Sequence, residues 1–156
     1  MGVMPKLDVL TEAVIDASPM MVYKAVLNEY SGVTHWWMPY LGFKLKGNIP
    51  IDNEGATFDS TINPTRRMKA KSSEKVTKIV QAKSIEIEFA GDFVGTEEWT
   101  FEPTADGKKT MVKHHWNGRT NRLLFSLVSP FVSMEKMNTD YTQKGFKALN
   151  SYLNKK

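Results

Sequence analysis

The chain of 156 residues contains no cysteine and only three histidines. Without cysteine it can form neither a disulfide bond nor a reactive thiolate. The histidines are His35, His114 and His115, and no paired carboxylates accompany them at the spacings of common metal sites. We therefore expect no metal site and no cofactor.

Long apolar segments are also missing. The longest such run, from Leu123 to Val132, is interrupted by Ser126, Ser129 and Pro130, and a membrane-spanning helix needs about 20 residues. The first ten residues lack the apolar centre of a signal peptide. These absences predict a cytoplasmic protein without stable membrane insertion.

Strong charge of one sign is lacking as well. The formal net charge is +4, and the densest basic stretch contains only Arg66, Arg67, Lys69 and Lys71. Nucleic-acid-binding proteins usually concentrate more positive charge, with aromatic residues among it, so we expect no nucleic-acid partner. The length predicts one domain over residues 1–156.

Alternating apolar and polar residues predict an antiparallel sheet. A strand at 7–16 precedes Ser18 and Pro19, a typical start of a short helix from Met20 to Asn28. A second short helix is predicted from Tyr30 to Trp37, and one or two helical turns from Leu123 to Val128. The further predicted strands are 56–62, 74–81, 83–89, 95–102 and 109–117.

A long amphipathic helix is predicted from Ser133 to Asn154. Its apolar stripe has helical spacing and contains Met134, Met137, Tyr141, Gly145, Ala148 and Tyr152. A helix of about 22 residues is about 33 Å long, so it would cross the whole sheet. A curved sheet closed by one helix leaves a hollow, for which we expect at least about 300 Å³, the lower limit of typical ligand pockets.

Several short motifs resemble one known superfamily in order and spacing. They are Ile15 to Pro19 with Val22-Tyr23, the Trp36-Trp37 pair, Phe101 to Pro103 with Asp106-Gly107, the strand ending in Trp116, and Lys144 to Phe146 with Leu149. The chain resembles the START-like superfamily, also called SRPBCC or helix-grip proteins, and within it the polyketide cyclase/dehydrase-type branch.

The resemblance implies an α+β helix-grip fold. In that fold a curved antiparallel sheet of six or seven strands wraps around a long C-terminal helix, with two short helices after the first strand and a pocket between sheet and helix. The superfamily contains carriers, receptors and enzymes without a shared catalytic motif. No catalytic residue is therefore carried over from it.

Glu97 and His114 are the candidate catalytic residues. If the turn at 103–108 pairs Glu102 with Lys109, Glu97 lies directly opposite His114 on the inner face, and His115 faces solvent. Such a pair could orient a ligand or transfer a proton. The alternative is a structural pair at the rim of the sheet, or a shifted register that separates the two residues.

Aromatic and apolar residues on the inner faces are the candidate ligand contacts. Adjacent helical residues point about 100° apart, so one of Trp36 and Trp37 should face the pocket. The stripe of the last helix has the alternative of packing only as core. The candidate ligand-binding residues are Trp36, Phe58, Phe89, Glu97, Trp99, Val112, His114, Trp116, Met137 and Tyr141.

Three functions fit these features. The first is binding of a small hydrophobic or amphipathic molecule by a carrier or sensor. The second is an enzyme of the polyketide cyclase, dehydratase or isomerase type, which requires an acid or base in the pocket. The third is a co-chaperone-like interaction module, which requires an exposed patch instead of a cavity. The ligand and the oligomeric state stay open.

Overall fold

The structure is a computed structural model that describes residues 6–67, 69–120 and 134–155. Seven strands and two α-helices make up the described chain. In order they are β1 (Leu7–Ile15), α1 (Pro19–Ser31), β2 (Leu41–Lys46), β3 (Thr57–Ile62), β4 (Ala70–Val80), β5 (Ser84–Gly91), β6 (Phe93–Pro103), β7 (Thr110–Thr120) and α2 (Met134–Leu153).

The strands form one curved antiparallel sheet in the order β1-β7-β6-β5-β4-β3-β2. Strands β2 to β7 follow one another as a meander, and β1 completes the sheet beside β7. Helix α2 packs against β1 and α1, while α1 also contacts β2, β3 and β6. This arrangement confirms the predicted α+β helix-grip fold. None of the described helices is both long enough and apolar enough to cross a membrane.

Helix α1 begins where the sequence predicts. Ser18 has an extended backbone, and its Oγ accepts a hydrogen bond from the Met21 backbone N–H at 3.4 Å. Pro19 follows at the first helical position, where its missing N–H costs nothing. The helix ends at Gly32, whose φ of 83° lies in the left-handed region that favours glycine.

The predicted second short helix from Tyr30 to Trp37 is wrong. Helix α1 ends at Ser31, and residues 36–40 form turns. The Glu29 carboxylate accepts hydrogen bonds from the backbone N–H groups of Trp36 and Trp37 at 3.0 and 2.9 Å, and from the Thr34 hydroxyl at 2.8 Å. These bonds satisfy the backbone N–H groups without a helix.

Strand β2 was not predicted, because its six residues combine a glycine with two lysines. It pairs with β3 along its whole length, from Leu41 opposite Ile62 to Lys46 opposite Thr57. Tertiary pairing therefore overrides a weak local preference. The helical turns predicted from Leu123 to Val128 lie outside the described residues.

The interior contains two clusters of unequal size. We call the larger one the packed end; it surrounds Trp99 and joins α1, β6, β7 and the second half of α2, with Tyr23, Phe101, Val112 and Leu149 among its members. The smaller one, the cavity end, contains Ala70, Phe89 and Phe93, with Ile62 and Trp116 packed against them.

Helix α2 buries a face centred on Thr142, Gly145, Phe146 and Leu149. The Trp37 ring lies directly against Gly145, where a Cβ atom would come within 2.5 Å of the indole. Tyr152, which the predicted stripe included, is 43% exposed. The stripe is therefore correct for its middle residues and wrong at Tyr152, although the adjacent Leu153 still packs against the core.

Candidate functional site

A cavity of about 90 Å³ lies between the inner face of the sheet and the first half of α2. Its apolar wall comes from Leu41, Phe43, Ile62, Phe89, Phe93 and Trp116. Its polar wall includes Ser60, Glu74, Glu97 and His114 on the sheet and Asn138 on the helix. Apolar and polar walls in one cavity fit an amphipathic occupant.

The cavity is much smaller than the 300 Å³ that we expected. Tyr30 enters from α1 and packs against Phe43 and Phe58, with ring centroids 4.8 and 4.7 Å apart. Trp37 packs beside Phe43 at 5.8 Å. These aromatic side chains occupy space that the sequence pattern alone would leave empty.

Glu97 and His114 form a hydrogen-bonded pair on the inner face. His114 Nε2 lies 2.7 Å from Glu97 Oε2, and both side chains are at least nine-tenths buried. The expected direct opposition is wrong, because Glu97 pairs with Trp116 and His114 pairs with Trp99. A shift of two residues keeps every side chain on its face, and long side chains on diagonal positions still reach each other.

The register differs because the turn after β6 lies one residue later than predicted, at 104–109 instead of 103–108. Thr104 Oγ1 contacts Asp106 Oδ1 at 2.7 Å, and Asp106 Oδ1 accepts the Lys108 N–H at 3.0 Å. The strands consequently pair from Pro103 opposite Thr110 instead of Glu102 opposite Lys109. Side-chain bonds of this kind favour turns over strand pairing.

Tyr30 extends the polar pair into a chain of hydrogen bonds. Its hydroxyl donates to Glu97 Oε1 at 3.1 Å and accepts from Trp99 Nε1 at 2.7 Å. Burial, together with the charges of Glu97 and Glu74, raises the pKa of the Tyr30 hydroxyl well above its ordinary value. Tyr30 therefore stays a neutral donor and holds one oxygen of Glu97 in place.

Glu74 on β4 adds a second buried carboxyl group, in hydrogen-bonding reach of Glu97 and Ser60. Burial, followed by the negative charge of Glu97, raises the pKa of Glu74 well above its ordinary value. Burial also opposes the ionisation of Glu97, but the hydrogen bond from His114 and the positive charge of that ring, followed by hydrogen bonds from Glu74 and Tyr30, together lower the pKa of Glu97. Glu74 therefore retains a proton at pH values where Glu97 is ionised, which is the asymmetry that acid–base catalysis uses.

Three buried polar atoms near this cluster have no hydrogen-bond partner within the described chain. One of them, Thr11 Oγ1, lies on β1 opposite His114 and does not line the cavity. The other two belong to cavity residues. They are Nδ1 of His114 and Oδ1 of Asn138, and both residues line the cavity. Since Glu97 is an acceptor, His114 Nε2 carries the hydrogen of their contact, and Nδ1 is left without a partner. Unpaired polar atoms are costly in a dry interior, so both favour a polar occupant.

Six of the ten candidate ligand contacts line the cavity: Phe89, Glu97, His114, Trp116, Met137 and Tyr141. The other four are elsewhere. Phe58, Trp99 and Val112 are completely buried in the packed end. Trp36 stacks on the outer side of Trp37 at 5.4 Å, so Trp37 is the member of the pair that reaches the cavity.

Sequence reasoning missed several residues of the cavity wall, among them Tyr30, Phe93, Asn138 and the acidic Glu74. Lys71 and Lys75 lie on the outer face of β4, which would place Glu74 on the inner face by alternation. A β-bulge between Val76 and Lys78 interrupts that alternation and left the facing of the strand undetermined. No three His, Asp, Glu or Cys side chains of the described residues are grouped so that they could hold a metal ion.

A protein family described as polyketide cyclase/dehydrase and lipid transport matches residues 6–154. The chain belongs to this family. Members of the polyketide cyclase/dehydrase and lipid transport family are thus its sequence relatives, and their description covers both enzymes and lipid carriers. No curated protein matches the chain significantly by sequence.

Solved structures of the same fold are similar to this family member along nearly its whole length. The Zhui aromatase/cyclase from Streptomyces sp. R1128 has a TM-score of 0.70 at 10% identity and covers 95% of this chain and 93% of its own. Protein CV1439 from Chromobacterium violaceum has a TM-score of 0.68 at 13% identity, and the match covers 96% of this chain and 98% of its own. Truncated norcoclaurine synthase from Thalictrum flavum has a TM-score of 0.66 at 11% identity, and the match covers 100% of this chain and 98% of its own. Identities this low establish the shared fold alone.

Proposed function

We propose that the protein binds a small amphipathic molecule in the cavity, as a carrier or sensor. One observation carries the proposal: the apolar wall formed by Phe89, Phe93 and Trp116 adjoins a buried polar cluster of Glu74, Glu97 and His114. An apolar surface supplies affinity and a few placed polar groups supply orientation. The cytoplasmic location expected from the sequence remains part of this proposal.

A second candidate function is acid–base catalysis on such a molecule. The opposite pKa shifts of Glu74 and Glu97 favour it, because they place a proton donor beside a proton acceptor in a buried site. The family description, which includes cyclases and dehydrases, is compatible with both candidates. A cavity, as opposed to a filled interior, supports either of them over an interaction module.

Native mass spectrometry of the protein purified from its own cells tests the first candidate. We expect a retained small molecule that denaturation releases. Incubation of the protein with that molecule separates the two candidates, since a carrier returns it unchanged and an enzyme changes its mass or isomer. Protein that carries nothing, and that no amphipathic compound stabilises in a thermal-shift screen, would contradict both.

The paired variants His114→Phe and His115→Phe locate the site. Phe keeps a flat ring but removes both nitrogens, so His114→Phe should abolish turnover in an enzyme. In a carrier, the same variant should weaken the binding of ligands with a polar head group by about 0.5–1.5 kcal/mol, the net contribution of one hydrogen bond. His115 contacts Asp8 on the outer face and is the matched control. Equal effects of the two variants would reject the inner-face site.

A further inference from the structure

The ionisable groups that line the cavity are mainly carboxyl groups. Two carboxyl groups, Glu74 and Glu97, line it, and its described lining contains neither lysine nor arginine. His114 is the single basic residue there, and its Nε2 is already engaged by Glu97. A ligand carboxylate would find no free cation in this wall and would approach Glu97 against charge repulsion, which is strong in a low-dielectric site.

The unpaired atoms point in the same direction. Asn138 Oδ1 is a buried acceptor without a donor among the described residues, and it belongs to the cavity wall on α2. The Glu97 carboxylate accepts hydrogen bonds from Tyr30, His114 and Glu74, and two carboxylate oxygens together have about four acceptor positions. The wall therefore offers acceptors from both the sheet and the helix, and an occupant with several N–H donors would satisfy them.

We infer that the ligand carries a protonated amine on a small apolar body, and that its ammonium group binds among Glu74, Glu97 and Asn138. The inference rests on the proposed function, since it names the ligand class of the same cavity. An ammonium group has three donors and a positive charge, whereas the apolar body contacts Phe89, Phe93 and Trp116.

Proton release accompanies this binding. The ammonium ion enters with its charge, Glu74 loses its proton to solvent, and the resulting carboxylate pairs with the ligand, so charge and atoms balance. The other titratable groups facing Glu74 are Tyr30 from α1, Glu97 from β6, His114 from β7 and Tyr141 from α2. Tyr30 keeps its own proton, because burial raises the pKa of its hydroxyl well above the ordinary value.

Isothermal titration calorimetry from acid to neutral pH, with benzylamine, benzyl alcohol and benzoate, tests the inference. The three probes share one ring and differ in the charge of the head group. We expect benzylamine to bind at least about tenfold more tightly than benzoate. Titrations in phosphate and Tris, whose ionisation enthalpies differ, should show protons released with benzylamine and none with benzyl alcohol.

Three variants complete the experiment. Glu97→Gln should remove most of the preference for benzylamine, and Glu74→Gln should abolish the proton release. Glu98→Gln removes a charge from the adjacent residue on the opposite face of β6 and should change neither. A preference that survives both Glu97→Gln and Glu74→Gln would overturn the inference.

The alcohol distinguishes failure of the inference from failure of the proposed function. Binding of benzyl alcohol together with equal or tighter binding of benzoate would leave the proposed function standing and overturn the amine inference. If none of the three probes binds, both are contradicted. Circular dichroism of each variant confirms that it is folded before titration.

Discussion

The two ends of the interior use the same residue types for different purposes. Trp99 and Trp116 lie on neighbouring strands and both point inward, yet Trp99 is completely buried and Trp116 is only partly buried beside the cavity. At the packed end, α1 and the second half of α2 cover the sheet from above. At the cavity end, Phe89, Phe93 and Trp116 line a cavity that no side chain of the described residues fills. The position of the helices, and not the sequence of the strands, therefore decides which part of the interior is filled by side chains.

Exchange of each tryptophan for alanine tests this comparison with the largest expected effect. Trp99→Ala should destabilise the protein by about 3–5 kcal/mol, the usual cost of deleting a large buried aromatic side chain. It also removes the N–H donor to Tyr30 and the contacts with Phe101 and Phe146. Trp116→Ala should cost less than about 2 kcal/mol, because solvent already reaches that side chain. Urea unfolding measures both, and equal losses would abolish the distinction between the two ends.

Gly145→Ala tests the boundary between the ends. A Cβ atom at this position would lie 2.5 Å from Cε2 and 2.6 Å from Nε1 of Trp37, and overpacking of this kind costs about 1–3 kcal/mol. Trp37→Phe removes the crowded atoms, so Gly145→Ala should cost much less in that background. Thermal unfolding of the four proteins in the double-mutant cycle gives the coupling. Additive losses would show that the ring does not limit position 145.

The pH dependence of stability tests the polar cluster between the ends. The raised pKa of Glu74 means that its contribution to stability is full below the ordinary value of 4.5 and is lost as the pH rises through the raised value. Glu74→Gln does not titrate, so it should become the more stable protein at alkaline pH. A difference of about 1 kcal/mol would raise the thermal midpoint by about 2–4 °C.

Glu97→Gln should show the opposite trend. The lowered pKa of Glu97 gives stability above its ordinary value of 4.5, and that stability is lost as the pH falls through the lowered value. The penalty of Glu97→Gln should therefore shrink in acid. Thermal unfolding from acid to alkaline pH follows both variants, with Glu98→Gln as the flat control. Parallel curves for all three proteins would contradict the assigned pKa directions.

Ser18→Ala has the smallest expected effect and tests the start of α1 at the packed end. Loss of an N-cap costs about 0.5–2 kcal/mol, and the 3.4 Å length of this hydrogen bond places the expectation at the lower limit. Ser151→Ala, at an exposed position of α2, should cost nothing in urea unfolding. An unchanged denaturation midpoint for Ser18→Ala would show that Pro19 alone starts the helix.

The order of elements and the facing of β6 and β7 could be predicted from sequence, because alternation assigns each residue to a face. A two-residue error in register preserved those faces, so Glu97 and His114 were brought together although the predicted partners were wrong. The bulge in β4 had no comparable signature, and it concealed Glu74. The alternation of apolar and polar residues indicates which face of the sheet each side chain of one strand lies on. Bulges and turns depend instead on hydrogen bonds to neighbouring strands and to turn side chains, which this alternation does not contain.

The size of the cavity could not be predicted for a similar reason. It depends on where Tyr30 and Trp37 place their rings, and Trp37 is positioned by backbone bonds to Glu29, eight residues earlier. A periodic pattern contains no information about such a bond. The sequence predicted a hollow from the architecture, and tertiary contacts reduced it to about 90 Å³.

The conformation of the 34–40 loop depends on Glu29 more than on the exposed residues of the loop itself. The Glu29 carboxylate accepts hydrogen bonds from the backbone N–H groups of Trp36 and Trp37. The side chains of His35 and Met38 are exposed and should therefore contribute little to the stability of the loop. Substitutions of His35 or Met38 should therefore leave Trp37 in the cavity wall. This part of the surface can therefore change without altering the cavity wall, because Glu29, which lies outside the cavity, fixes the loop backbone.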